Sequence, residues 1–534
     1  MLYDFVIVGA GSAGCVLAER LSADPTRRVL LVEAGPRDWH PFIHMPAGLA
    51  KLVNRKGVNW DYDTEPEASL EGRRLWWPRG KVLGGSSSIN AMCYVRGVPA
   101  DYDDWARLAG DPRWAWANVL PYFRRSEGNT RGADALHGAD GPLTVSDLRY
   151  RNPLSQAFID AADAAGFARN DDFNGARQEG FGFYQVTQRN GARCSAATAY
   201  LKPARERANL TVLTHALAER VVLDGTRAAG VDLRLRGGKR KRVEAGEVIL
   251  AGGAINSPQL LMLSGIGPAD HLRERGVGVA LDLPGVGTNL QDHLDICTLV
   301  RSTQPITYDR TNDVAIALEF LLRRSGIGTS NIAEAGGFVR SRHAEDARCD
   351  LQFHFVPAQL DDHGRHRLPG DGYTVHACAL HPKSRGCIRL ASADPAAKAA
   401  IHANYLGDAE GYDLKMLIEG AKLSRAILAQ APFAPYRGAE IFPGADAQDD
   451  AALEAFIRRK AETIYHPVGT CRMGADAGAV VDPALRVRGI DALRVVDAAV
   501  MPRLPTGNTN APTIMIAEVA ADLILGRAQD TAAS

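Results

Sequence analysis

Short continuous apolar runs mark where this chain buries strands. "FVIV" (Phe5–Val8), "VLLV" (Val29–Val32) and "VILA" (Val248–Ala251) each run straight into small or acidic residues. "LRVV" does the same near the C-terminus, ending in Asp497-Ala498. Runs of this length with no polar alternation read as strands covered on both faces. Helical spacing follows the first of them, with Val16, Leu17 and Leu21 recurring. A last helix is expected from Pro512 to Gly526, with Ile516, Val519 and Leu523 on its packing side. "SPQLLMLSG" reads as another helix, with Ser257 as cap, Pro258 at its first position and Gly265 closing it.

Between Arg301 and Glu462 the pattern changes. "TVHACAL" and "GCIRL" look like strands, while "DLKMLIEGAKLSRAILAQ" and "DAALEAFIRRKAETI" look like amphipathic helices. "DLQFHFVP" alternates as a strand does, which makes His354 either a core histidine or the wall of a pocket. At 534 residues the chain exceeds the ~250–300 at which one core stops growing, so two units are expected.

Charge adds little. Lys+Arg and Asp+Glu both number 62, which gives nucleic acid nothing to bind to. The one basic run, "RLRGGKRKR" (Arg234–Arg242), reads as a solvated hairpin tip. Eight cysteines without a C-x-x-C spacing suit reduced thiols. "DDHGRH" (Asp361–His366) mimics metal-ligand spacing, but its charges and glycine suit a solvated loop, and no metal is expected. No apolar run reaches the roughly 18 residues of a spanning helix, and the first strand leaves no room for a signal peptide. A cytoplasmic protein, free or peripheral to the inner membrane, is the expectation.

Candidate chemistry begins at Gly9-x-Gly11-x-x-Gly14, between the first strand and its helix. These glycines serve a tight turn, close approach of backbone to a pyrophosphate, and helix–strand packing. Ser12 and Ala13 would offer N–H groups at the helix start. Glu33, about 20 residues on and followed by Ala34, sits where a carboxylate accepts from a ribose diol. NAD and FAD both satisfy that pattern. The chain then leaves the short βα repeat of a simple NAD enzyme. It reaches "RGKVLGGSSSINAMCYV", whose Gly84–Ser88 stretch, including Ser86, forms a nest of backbone donors for a charged group or flat ring.

Taken together, the motifs resemble the glucose–methanol–choline oxidoreductase family, collinearly over essentially the full length. "GKVLGGSSSIN" (Gly80–Asn90) is similar to one signature and "GAINSPQLLMLSGIG" (Gly253–Gly267) to another. "HPFIHMP", "DFNGARQEGFG" and "YHPVGTCRMG" look most like the bacterial sorbose-dehydrogenase and choline-dehydrogenase branches. The resemblance implies an α/β fold with a discontinuous Rossmann-like FAD-binding domain (1–150, 191–300, 463–534). A substrate domain (151–190, 301–462) would lay an antiparallel sheet over the flavin. Trp60 and Ala218 would lie toward the adenosine, Asn90, Ala91 and Met92 along the isoalloxazine, and Asp497, Ala498 and Thr509 nearby. Some members attach flavin through a histidine where this chain has Ile89, so non-covalent FAD is expected.

The resemblance also gives His466, in "YHPVG", a task. An alcohol will not lose its proton unaided as a hydride leaves the same carbon, and an imidazole is a suitable base. Asn510, in "NTNAP", is expected as its partner on the substrate oxygen, with Tyr465 shaping the pocket. The expected reaction is oxidation of a primary alcohol or polyol, with reoxidation by a quinone or dye; oxygen is the alternative acceptor, and a lyase on the same fold the remote one. Glu334 could balance a quaternary ammonium, but a framework role is the stronger expectation.

Overall fold

The computed structural model describes residues 2–366 and 368–527. Two seven-stranded sheets organise it. In the first, the order is Leu210–Leu213, Val29–Val32, Leu2–Val8, Arg240–Leu250, Arg227–Leu235, Ala216–Asp224, with Leu493–Val495 also paired to Arg240–Leu250. The Leu2–Val8 strand runs parallel to both neighbours, and Leu493–Val495 is parallel to Arg240–Leu250. Buried on both faces, these segments need the unbroken apolar runs seen in the sequence. The basic run is a hairpin turn between antiparallel strands, and Arg242 spends its charge on Asp232 at 2.7 Å.

Glycines fix the first crossover. Gly9 has φ +104°, and a Cβ there would lie 2.4 Å from Ala251 O. A Cβ on Gly14 would lie 1.9 Å from Gly9 O, so the Ser12–Leu21 helix can start this close to the strand only with glycine in place.

Two helix starts differ from the expectation. The helix expected at Ser257 begins at Gly253 and carries Pro258 inside it. Proline there has no N–H for Ala254 O, and Thr470 Oγ1 donates to that carbonyl instead at 2.6 Å. Ser257 is not a cap; its hydroxyl donates to Asp497 Oδ2 at 2.6 Å and accepts from Gly252 N. The C-terminal helix spans Asn510–Ile524, starting two residues before Pro512. A proline in the first turn costs no helix bond, because those N–H groups have no partner within the helix.

The second sheet is antiparallel: Arg437–Phe442, Leu294–Ser302, Gly372–Ala379, Leu351–Val356, Ala335–Val339, Gly180–Phe183, with Glu462–Thr463 added to Leu294–Ser302. The expected domain boundary at 300 therefore falls inside a strand. The polar residues Gln291-Asp292-His293 end one segment, and the apolar run entering the second sheet starts at Leu294. One face of this sheet, with Phe353, Phe355 and Val375, joins the apolar core formed with the Pro153–Ala164 and Tyr412–Leu428 helices. From the other face His354, Val356, His376 and Asp295 reach a cavity.

Candidate active site

A cavity of about 600 Å³ runs between the two sheets. At one end its wall holds Gly9, Gly11, Ser12, Ala13, Glu33 and Ala34; Trp60 and Ala218 also line it. Further along come Ser86, Asn90, Ala91, Met92, Asp497, Ala498 and Thr509. His354, Tyr465, His466, Asn508 and Asn510 complete the wall. Gly14 and Gly84, expected at the cofactor, are not part of that wall. They act from behind it: Gly14 lets the helix meet Gly9, and Gly84 N donates to Ala10 O at 2.7 Å, tying the two glycine turns together.

The residues suit an anionic dinucleotide. Gly9 and Gly85 have positive φ, and a Cβ on Gly85 would lie 2.7 Å from Gly11 Cα, so only bare backbone fits at this crossing. Glu33 accepts from Ala10 N and Gly35 N at 3.1 and 2.8 Å, and burial raises its carboxyl to about 7. Arg79, which the sequence reading passed over, lines the cavity with Nε and Nη2 buried and unpartnered, while Nη1 donates to Tyr465 O at 2.9 Å. A buried guanidinium with two open donors fits a negatively charged ligand group. Asn90 is held for its task by Arg193, whose Nη1 donates to Asn90 O and Oδ1 at 2.7 and 2.8 Å.

Hydrogen-bond logic fixes the state of His466. His293 Nε2 lies 3.1 Å from Leu380 O, which can only accept, so the His293 proton is on Nε2. Burial depresses His293 to about 3, so it is neutral and its Nδ1 bears a lone pair. His466 Nδ1, 2.9 Å away, must therefore donate to it. Burial, with His293, His354 and Arg79 nearby, holds His466 well below the usual histidine range. Its Nε2 is then an unprotonated base on the cavity wall. Below it, His466 N donates to Asp292 Oδ1 at 2.7 Å, and Asp292 Oδ2 accepts from Thr463 and Tyr405. Tyr465 enters this turn at φ +73°, a left-handed conformation costly for a bulky side chain.

The asparagine within hydrogen-bond reach of His466 is Asn508. Asn508 Nδ2 lies 3.1 Å from His466 Nε2, and Asn508 Oδ1 accepts from Gln352 Nε2 at 3.1 Å. Asn510 also lines the cavity, and its Oδ1 accepts from Ser12 Oγ at 2.7 Å, linking the C-terminal helix to the glycine loop. The two asparagines flank Thr509, the residue that precedes the helix, so the chain turns into the helix between them. Sequence spacing alone does not tell which one faces the histidine.

Other expectations divide. Glu334 is a framework carboxylate: Asn152 N, Ser155, Ser330 and Tyr308 all donate to it. Asp361–His366 is less solvated than its composition suggests. His363 packs on Trp76 and Tyr465, its Nδ1 bonds the Tyr465 hydroxyl, and its Nε2 lies 3.3 Å from Glu462. Among the described residues, Asp362, His363 and Glu462 are the group whose ligand atoms lie within 4.8 Å of one another. Asp292, His293, Asn508 and Gln352 were not anticipated. A polar triplet directly before an apolar strand, "QDH" before "LDICTLV", was the available signal for the first two.

Sequence models described as GMC oxidoreductase match residues 3–295 and 382–517. An alcohol dehydrogenase (acceptor) of Pseudomonas putida is 51% identical over 98% of this chain and 96% of its own length. The mitochondrial choline dehydrogenase of Homo sapiens is 48% identical over 98% and 90%. Among solved structures, pyridoxine 4-oxidase from "Mesorbium loti" superposes with a TM-score of 0.90 at 35% identity, covering 99% of this chain and 100% of that one.

Proposed function

The chain belongs to the GMC oxidoreductase family, and from that membership we propose that it oxidises an alcohol to the carbonyl with His466 as the base. The observation that carries this reading is the unprotonated Nε2 of His466, fixed from behind by His293 and facing the cavity beside Asn508. FAD, when bound, supplies the acceptor for the hydride leaving the alcohol carbon. Gly9, Gly11 and Glu33 would hold its nucleotide half, and Asn90–Met92 would lie along its ring.

The chain's own groups do the rest. His466 Nε2 takes the hydroxyl proton as the hydride departs, a contribution typically of about 10²–10⁴ in rate. Asn508 Nδ2 donates to the substrate oxygen and steadies the developing alkoxide charge. Residues of the second sheet line this end of the cavity, where exclusion of water would strengthen the polar contacts to the reacting atoms.

Ile89 carries no nucleophilic atom and packs among Ile43, Leu52, Val58 and Val82, which supports non-covalent attachment. A quinone or dye-type acceptor is favoured by the Pseudomonas putida relative, which is named an acceptor-dependent dehydrogenase. All eight cysteines are free thiols, which supports a reducing compartment. Among the described residues no helix is long and apolar enough to cross a membrane.

The test is anaerobic. Purified protein should be yellow, and one class of alcohol should bleach it; His466→Ala should keep the colour and lose the bleaching. A yellow protein that no alcohol reduces would overturn the assignment.

A further inference from the structure

The wall beyond His466 carries two nitrogen atoms with nothing to bind. His354 and His376 are direct cross-strand partners, so their side chains emerge side by side on the face toward the cavity. The proton positions follow from their neighbours. The Tyr184 hydroxyl donates to Phe353 O at 2.7 Å, so the Gln352 atom 3.2 Å from it must be the amide nitrogen. That nitrogen, whose two hydrogens are shared among the Tyr184 hydroxyl, Asn508 Oδ1 at 3.1 Å and this histidine, also faces His354 Nε2 at 3.3 Å. Two donors do not face each other, so His354 Nε2 keeps its lone pair and the proton sits on Nδ1. His354 Nδ1 is buried and has no partner.

His376 is arranged oppositely. Its Nδ1 lies 2.6 Å from Asp295 Oδ2, which can only accept, so Nδ1 carries the proton. Its Nε2 is also buried and unpartnered. The sheet therefore presents two unsatisfied ring nitrogens from directly paired residues. A hydroxyl, which both donates and accepts, can satisfy both at once, and a methyl or trimethylammonium group satisfies neither.

A cation has little to meet here. Asp295 Oδ2 is bonded by His376 Nδ1 at 2.6 Å, so the His376 ring stands against that carboxylate. Glu462 is pushed up to about 8 by burial and by neighbouring carboxylates, so near neutrality it is uncharged, and His363 faces it. Glu334 is sealed beneath four donors. Quaternary ammonium groups are held by several aromatic faces. Around this end the wall is Ile332, Ala333, Val356, Leu360 and Ile464, with Tyr465 as its aromatic ring, and the Tyr465 hydroxyl is committed to His363.

We propose that the substrate carries, besides the reacting alcohol, a second hydroxyl that hydrogen-bonds both His354 Nδ1 and His376 Nε2. The pocket then prefers uncharged diols and polyols to quaternary-ammonium alcohols. The inference rests on the alcohol-oxidising reading above and narrows its substrate. The second hydroxyl is not transformed; it positions the first.

Paired substrates test it on the flavin-loaded protein, by anaerobic flavin reduction and by steady-state kcat/KM with a dye acceptor. Each terminal diol from ethanediol to butanediol is set against the alkanol in which a methyl replaces one hydroxyl. Choline is set against its uncharged isostere, 3,3-dimethyl-1-butanol. At least one diol should exceed its alkanol about tenfold or more, as expected where a site hydrogen-bonds a substrate hydroxyl. Choline should not exceed its isostere. In His376→Leu the diol advantage should fall to near unity and choline should gain on its isostere, because Asp295 is uncovered. His354→Leu should also lose the diol advantage, and His354→Gln, which keeps a donor, should recover part of it. Each readout is a ratio within one protein, so a general loss of rate cancels. The proposal is overturned if no diol gains, if choline outruns its isostere about tenfold, or if the diol advantage survives in both leucine variants. Failure of every alcohol to reduce the wild-type flavin would instead overturn the parent reading, and this one with it.

Discussion

His293 Nδ1 stands 2.9 Å from His466 Nδ1, with the two rings nearly perpendicular at 89°. One imidazole orients the other, and the Leu380 carbonyl orients the first. The base thus owes its tautomer to a neutral histidine rather than to a carboxylate.

His293→Leu should therefore slow anaerobic flavin reduction by about 10²–10⁴-fold, the range over which a correctly protonated base matters. His293→Gln, whose amide oxygen can accept from His466 Nδ1, should recover much of the loss. A purely structural role predicts instead that flavin is lost in step with rate. The pH profile separates the two. In the wild type the acid limb should lie below the usual histidine value of 6.5, because burial depresses His466. In His293→Leu, His466 loses its fixed tautomer and the limb should move.

Glu462 makes a second prediction through stability. Its folded carboxyl is raised from 4.5 to about 8, mainly by burial and then by Asp295 and Asp362. Above 4.5 the unfolded chain releases this proton while the folded protein keeps it. Stability from this group is complete below 4.5 and is lost as pH rises through about 8, by at most about 1.4 kcal/mol per pH unit. Glu462→Gln, which stays neutral, should lack that loss. Its denaturation midpoint relative to wild type should climb between pH 5 and pH 8, and an unchanged difference would refute the shift.

Gly14 tests the cradle apart from its contents. A Cβ at Gly14 would sit 1.9 Å from Gly9 O, so Gly14→Ala must push the helix off the loop. The residue does not line the cavity, yet the variant should purify with little or no flavin. Absorbance near the flavin bands, scaled to protein, measures this. Retention at wild-type level would mean that the helix start tolerates the shift.

Much of the fold was legible because buried parallel strands need continuous apolar runs, and Phe5–Val8, Val29–Val32 and Val248–Leu250 all pair as such. The glycine turn was legible for the same kind of reason, since a Cβ is excluded there. What was hidden depends on contacts distant in sequence. Pro258 looked like a helix start because nothing local shows Thr470 waiting to bond Ala254 O. His293 looked like a polar residue before a strand because Leu380 and His466 lie far along the chain. His354 was readable as a strand residue, but its free Nδ1 depends on Gln352 and Tyr184.

The Pro258 arrangement can be checked directly. Thr470 is fully buried, and Thr470→Val removes the one donor that the proline cannot supply. Leaving a buried carbonyl unpaired costs about 1–3 kcal/mol. Chemical denaturation should show that loss, while Thr470→Ser should remain near wild type.

The two asparagines give the sharpest contrast, because one turn of chain separates two different jobs. Asn508 Nδ2 contacts His466 Nε2, and its oxygen is anchored by Gln352. Asn510 Oδ1 accepts from Ser12 Oγ at the glycine loop. Asn508→Ala should therefore lower the rate of flavin reduction by about 10²-fold or more, as loss of an oriented donor to a developing oxyanion does, while flavin stays bound. Asn510→Ala should do the reverse, weakening flavin retention and changing the rate of the remaining loaded enzyme far less. If Asn510→Ala were the variant that lost hydride transfer with its flavin intact, the donor to the substrate oxygen would be Asn510 and the assignment to Asn508 would be refuted.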